Sequence, residues 1–310
     1  MLKTVKLYYG KDLKVITSKV EHPAVLQPVR RLKSAGHECV EIGVDGFGRL
    51  DLDSLREELQ KCSGPKLVTV MWANNETGTI FPVEKISEIC RQYNAIFHTD
   101  AVQIAGKSPI DVRAMDVDML SLSGHKFHAP KGIGVLYVKK GSRFKPFMAG
   151  GHQENSRRAG TENVPYIVGL AQACKMARTS MESEVAELSA MRDKLQKGIV
   201  DSIPDVRING DVENRLCNTL NVSFEYIEGE AIAYKLSDLG ICISTGSACA
   251  SGSLDPSHVI RAMGVPFTAV HGSVRFSFSR YNTMQDVDFV LEKLPPVIKL
   301  LRDMSPFGKN

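Results

Sequence analysis

The feature that most restricts this chain is a rhythm in its first half. Short apolar runs near residues 14–17, 39–44, 67–72, 95–99, 119–122 and 134–138 alternate with amphipathic stretches at 23–35, 52–61 and 83–93. Strands that are apolar on both faces need cover on both faces. Strands separated by helices pair in parallel, so the pattern predicts an α/β fold built on a mainly parallel sheet. Such sheets bind ligands outside the carboxyl ends of their strands. Polar groups follow three successive runs: Asn74 and Asn75 after Trp72, Asp100 and Gln103 after Thr99, and Ser123, His125 and Lys126 after Leu122.

Lys126 is the most telling of these residues. It stands in Ser-Leu-Ser-Gly-His-Lys, directly after a short apolar run, and Gly124 lets backbone and aliphatic stem approach closely. A lysine amine paired with a strand-end carboxylate is what pyridoxal phosphate requires: an imine partner for its aldehyde and an anion that keeps its ring nitrogen protonated. Each motif also has a plain reading. Lys126 can be a solvated surface lysine, Asn74-Asn75 a turn, Asp100 a helix cap and His125 a satisfied core histidine. Their recurrence at successive strand ends favours one shared pocket.

From residue 165 to about 203 the pattern becomes long and helical, which suggests a handover between domains near residue 180: a large domain over 1–180 and a smaller α+β domain over 181–310. The second part has strand-like runs at 217–224, 240–244 and 273–279. Between the last two lies Thr-Gly-Ser-Ala-Cys-Ala-Ser-Gly-Ser, a run of small residues around Cys249 that reads as a loop carrying a thiol. Asp255 and Pro256 predict the start of a helix ending at Gly264, with Asp255 as N-cap, and a thiol near that helix end would gain thiolate character. The two-residue period of a strand puts Val274, Phe276 and Phe278 on one face and Arg275 on the other, where a guanidinium could take a substrate carboxylate. Thr283 and Asp286 predict a capping pair at the start of the last helix.

Composition narrows the class. Hydrophobic content of 43%, charged content of 24% and a net charge of +4 spread without a basic block describe an ordinary globular protein, with no nucleic-acid or membrane footprint expected. Seven cysteines, an odd count with no CxxC pair, disfavour a disulfide framework or zinc finger, name no metal ligands, and fit a reducing cytoplasm.

Seven segments together carry a resemblance: VEHPAV, MWANNETG, HTDAVQ, SGHKFHAPKG, RRAGTEN, GSACASGSLDPSHV and SVRFSFSRY. The chain resembles the cysteine desulfurases of the NifS/IscS type, class-V aminotransferases of pyridoxal-phosphate fold type I, over nearly its whole length. The resemblance implies pyridoxal 5'-phosphate held by Lys126, with Asp100 on the ring nitrogen, Gln103 on the ring hydroxyl and His22 stacked on the ring. Ser123 and His125 resemble phosphate ligands, and Thr161 resembles one contributed by the neighbouring subunit of a homodimer. Asn75 would orient cofactor and substrate, and Arg275 would hold the carboxylate of L-cysteine.

Cys249 would take the substrate sulfur as a persulfide, leaving L-alanine, and pass it to an iron–sulfur scaffold or other acceptor, with nitrogenase cluster assembly as one such destination. In the family a Gly-Thr-Glu phosphate loop precedes the stacking histidine, whereas here 21 residues precede His22. The resemblance therefore implies a large domain incomplete at its N-terminus, with weaker cofactor retention. Rival readings are a selenocysteine lyase, an aminotransferase, and an inactive remnant or partner-binding subunit; the Gly-Ser-Ala-Cys run argues against the aminotransferase.

Overall fold

A computed structural model describes residues 1–246 and 255–306. The chain forms two compact units. The first comprises Met1–Gly43, Leu50–Ala73 and Phe81–Met181; the second comprises Val44–Arg49, Asn74–Ile80 and Glu182–Asn310.

The first unit is built on strands β1 (Lys14–Ser18), β2 (Cys39–Ile42), β3 (Lys66–Met71), β4 (Ile96–Asp100), β5 (Met119–Ser123) and β6 (Gly134–Val138). They form one sheet in the order β2-β1-β3-β4-β5-β6, parallel from β2 through β5, with β6 antiparallel to β5. This is the predicted mainly parallel sheet. β1 and β3 are buried along their whole length, as expected of central strands covered on both faces. Helix α1 (Leu2–Tyr9) precedes β1, and α2 (Pro23–Ser34), α3 (Leu52–Gln60) and α4 (Val83–Gln92) occupy the gaps between strands, close to their expected positions. Asp51 caps α3 by accepting from the Asp53 and Ser54 amides, and Pro23 opens α2 where a missing N–H costs nothing. One apolar cluster joins Leu2 and Val5 of α1 to Val15, Val25, Leu67 and Met119.

A long helix, α5 (Val164–Ser202), covers the stretch read as helical. The second unit's sheet is antiparallel, in the order β7 (Val206–Asn209), β8 (Thr219–Phe224), β9 (Ser273–Ser277). Val274 and Phe276 point into its core with Leu220, Val222 and Phe224, which bears out the face assigned to them. Helices α6 (Gly229–Ser237), α7 (His258–Ala262) and α8 (Met284–Met304) also belong to the unit, with a short turn of helix at Phe267–Val270. Thr283 and Asp286 form the expected capping box on α8.

Two expectations fail. Residues 240–244 form no strand; only Ser244 bridges, to Arg275. Helix α7 begins at His258 rather than after Asp255, because Ser257 Oγ reaches the Val259 and Ile260 amides and takes the N-cap role that Asp255 and Pro256 suggested from their identities. Among the described residues no helix is long and apolar enough to cross a membrane.

Candidate active site

Sheet order makes β1, β3, β4 and β5 consecutive, so their carboxyl ends form one rim on the first unit. β1 delivers Glu21 and His22, β4 ends on Asp100 with Gln103 beyond it, and β5 delivers Ser123, His125 and Lys126. The register places Asp100 opposite Met71 on one side and Ser121 on the other, and the Trp72 amide donates to the Asp100 carbonyl at 2.9 Å.

Lys126 lies in a single 3₁₀ turn, Gly124–Phe127, and is exposed, whereas Gly124 and Phe127 are buried. Position 124 has no room for a side chain: a Cβ there would sit 2.9 Å from Ala129 Cβ and Ile133 Cγ2 and 3.1 Å from Leu170 Cδ1. The buried backbone of Gly124 thus fixes the point from which the lysine stem emerges. Phe127 packs with Ala129, Leu170 and Ala173, which anchors the turn from its other end.

Burial shifts the titration of groups on this rim. Burial raises the pKa of Asp100, although the Val102 amide bonds its Oδ1 at 3.0 Å and the His22 charge pulls the other way. Among the described residues Asp100 is in no ion pair, so a buried carboxylate of this kind gains from a cation brought to it. His125, which shares a 2.8 Å hydrogen bond with Ser123 Oγ, is held below its ordinary pKa by burial and by Lys126 and Lys131. Beneath the rim, burial pushes His98 down to about 3; its neutral ring links Thr69 Oγ1 at 2.8 Å and Ser121 Oγ at 2.9 Å, tying β3, β4 and β5 together.

Glu21 is a residue that sequence reasoning passed over. It is fully buried; its Oε1 accepts from Ser18 Oγ at 2.5 Å and from the Met71 amide at 2.9 Å, joining the β1 turn to β3. Burial, with a contribution from Asp100, pushes its pKa up to about 8. In the sequence it is marked only as the acidic residue just before His22. His22 follows directly and caps α2, its Nδ1 accepting from the Ala24 amide at 3.1 Å.

The remaining sequence candidates lie elsewhere. Thr161 is exposed on the first unit, in the extended stretch before α5. Asn75 and Arg275 belong to the second unit, where Arg275 Nη1 donates to the Asn75 carbonyl at 2.7 Å. Asn74 is the turn residue it resembled: its Oδ1 accepts from the Glu76 and Thr77 amides. Cys249 lies outside the described residues.

The rim fits pyridoxal phosphate. It offers a lysine amine on a rigid turn, a buried carboxylate lacking an ion-pair partner, a ring at His22, and a hydroxyl and a neutral imidazole beside the lysine that can bind phosphate oxygens.

Residues 2–290 match the family described as aminotransferase class-V. The chain is 55% identical over 294 residues to "Cysteine desulfurase" of Gluconacetobacter diazotrophicus, covering 94% of this chain and 73% of that protein. It is 52% identical over 293 residues to "Cysteine desulfurase NifS" of Azotobacter vinelandii, covering 94% and 72%. Among solved structures, a protein titled "NIFS-LIKE PROTEIN" superposes with a TM-score of 0.88 at 37% identity, over 97% of this chain and 79% of that one.

Proposed function

The chain belongs to the class-V aminotransferase family, and on that basis we propose that it is a pyridoxal-phosphate-dependent cysteine desulfurase that moves the sulfur of L-cysteine onto Cys249 and releases L-alanine. Members of the family depend on this cofactor, and the observation that carries the reading to this chain is the buried, cation-seeking Asp100 on the strand beside the one that presents Lys126. When bound, pyridoxal phosphate supplies an electron sink for bonds breaking next to the amino-bearing carbon.

The chain's own residues do the rest. Lys126 Nζ would hold the cofactor and, once freed by the substrate amine, would take up the proton lost from the substrate α-carbon. Asp100 would pair with the ring nitrogen, Gln103 with the ring hydroxyl, and His22 would stack on the ring. Ser123 and His125 would bind the phosphate; His125, its pKa lowered, can donate one N–H and accept elsewhere. Arg275 takes the substrate carboxylate, with Asn75 fixing its orientation through the carbonyl that accepts from Nη1.

The thiolate of Cys249 then attacks the substrate sulfur: an S–S bond forms, the Cβ–S bond breaks, and the carbon is protonated to alanine. L-cysteine and the enzyme thiol become L-alanine and an enzyme persulfide, with no external oxidant needed.

We read the chain as a cytoplasmic homodimer in which Thr161 of one subunit serves the other's phosphate site. Supporting this, the large apolar side chains Phe147, Val164 and Val168 are exposed at 57%, 60% and 62%. The sulfur acceptor we propose is an iron–sulfur scaffold protein, with no nucleic acid or membrane involved. Incubation of the purified, cofactor-loaded chain with L-cysteine tests the reading: alanine should appear, and mass spectrometry should find one added sulfur on the Cys249 peptide. A Cys249→Ala variant that still releases alanine from L-cysteine at the wild-type rate would overturn it.

A further inference from the structure

Among the buried acids that the mechanism does not use, Glu76 lies beside the stretch that leads to Cys249. Glu76, in the Asn-Asn-Glu-Thr-Gly turn, is 1% exposed. Its backbone is fixed at both ends: its amide donates to Asn74 Oδ1 at 2.9 Å, and its carbonyl accepts from Asn221 Nδ2 at 3.2 Å. Its side chain meets two places far along the sequence. Ser257 Oγ donates to Glu76 Oε2 at 2.5 Å. At Gly246 a Cβ would stand 3.0 Å from the same oxygen and 3.3 Å from Ser257 Cβ, and its φ of +70 is one that side chains rarely adopt.

Gly246 and Ser257 bracket the stretch that contains Cys249. Ser257 also caps α7, and Ser244, two residues before Gly246, pairs with Arg275 through both backbone hydrogen bonds. One carboxyl group thus touches the chain at the point where it leaves toward Cys249 and at the point where it returns. Cys249 is three residues from Gly246, a span of about 10 Å at most when extended, so the position of Gly246 limits where the thiol can be.

We propose that Glu76 is a positioning residue for the nucleophile: its carboxyl group, accepting from Ser257 and packed on Gly246, sets both ends of the segment that brings Cys249 to the substrate sulfur. Burial raises the pKa of this group, and the Ser257 hydrogen bond, His258 and Arg275 oppose that rise, consistent with an acid retained in the interior for its contacts. The proposal rests on the desulfurase reading of Cys249.

The test uses the cofactor-loaded, full-length chain and Glu76→Ala, Glu76→Gln, Ser257→Ala and the Glu76→Ala/Ser257→Ala double variant. Glu76→Ala should lower kcat for alanine release and the single-turnover rate of sulfur addition to Cys249 by roughly ten-fold or more, with KM for L-cysteine little changed. Glu76→Gln, whose amide oxygen can still accept from Ser257, should recover most of that loss. The double variant should lose less than the two single losses combined, because both remove the same contact.

A readout independent of cofactor is hydrogen exchange: in Glu76→Ala, amides at 244–246 and 257–260 should exchange faster while those of β1–β5 do not. If wild-type chain acquires no sulfur on Cys249, the desulfurase reading fails. If wild type is normal and Glu76→Ala matches it in kcat, or if the losses of Glu76→Ala and Ser257→Ala add, the Glu76 proposal alone is overturned. Should Glu76→Ala fail to fold, a Glu76→Gln protein as slow as Ser257→Ala would likewise overturn it.

Discussion

Replacing Glu21 with glutamine should remove a pH dependence that the wild-type first unit carries across the neutral range. Burial, outweighing the hydrogen bonds from Ser18 and Met71, moves the Glu21 carboxyl from 4.5 to about 8. A carboxyl whose folded pKa lies above its unfolded one holds its proton more tightly in the folded state. Its stabilisation is therefore fully present below about pH 4.5 and is lost as pH rises through about 8. At about 1.36 kcal/mol per pH unit the whole window is worth roughly 5 kcal/mol, of which about 3 kcal/mol falls between pH 5.5 and pH 8.

His98 works in the opposite sense. With its pKa lowered to about 3, its contribution is lost as pH falls below 6.5, and this part persists in the variant. The difference between wild type and Glu21→Gln isolates the acid. Trp72 makes the measurement local, since it is the single tryptophan and follows the Met71 whose amide binds Glu21. Urea unfolding followed by its fluorescence at several pH values should show wild type losing about 3 kcal/mol relative to the variant between pH 5.5 and pH 8. Parallel pH profiles for the two proteins would refute the assignment of a neutral acid at this position.

Further outcomes follow from the same geometry. Asp100→Asn should lower kcat by about ten- to a hundred-fold, the worth of one charge-assisted hydrogen bond, and weaken cofactor retention in gel filtration. Arg275→Lys should raise KM for L-cysteine about ten-fold or more while the cofactor absorbance stays normal, because a point charge replaces a planar fork. Gly124→Ala should destabilise the first unit by about 1–3 kcal/mol through the crowding at Ala129, Ile133 and Leu170, visible as a lowered urea midpoint, and should slow cofactor binding by displacing Lys126.

The first unit was largely legible because its strands are apolar on both faces, a signal that survives without knowledge of tertiary contacts. Val68 and Val70 read as strand before anything is known of their neighbours. The second unit was less so. Residues 240–244 have strand-like composition, yet Gly240 takes a φ of +78 and only Ser244 pairs. Val206–Asn209, too short to declare itself, became β7 by pairing with β8. At α7 three adjacent residues all suit a helix start, and only the reach of the Ser257 hydroxyl decides among them.

At the rim, the strand-end placement of Asp100 and Lys126 was visible from run lengths. Glu21 and Glu76 were not assigned, since an acidic residue beside an apolar run ordinarily faces water and only the folded contacts bury these two.

The make-up of the second unit has a consequence for how the protein is synthesised. Val44–Arg49 and Asn74–Ile80 emerge early, yet they are structural parts of a unit whose other strands come much later. The buried Asp211 awaits Arg49, made 162 residues before it, and the Asn75 carbonyl awaits Arg275, made 200 residues after it. At the usual pace of translation those early pieces stand without partners for about 10–40 s. A ribosome-bound chain halted before β9 should accordingly hold its parallel sheet while the Asn74–Ile80 turn remains open to protease, and residues 182–310 made alone should lack two segments of their unit.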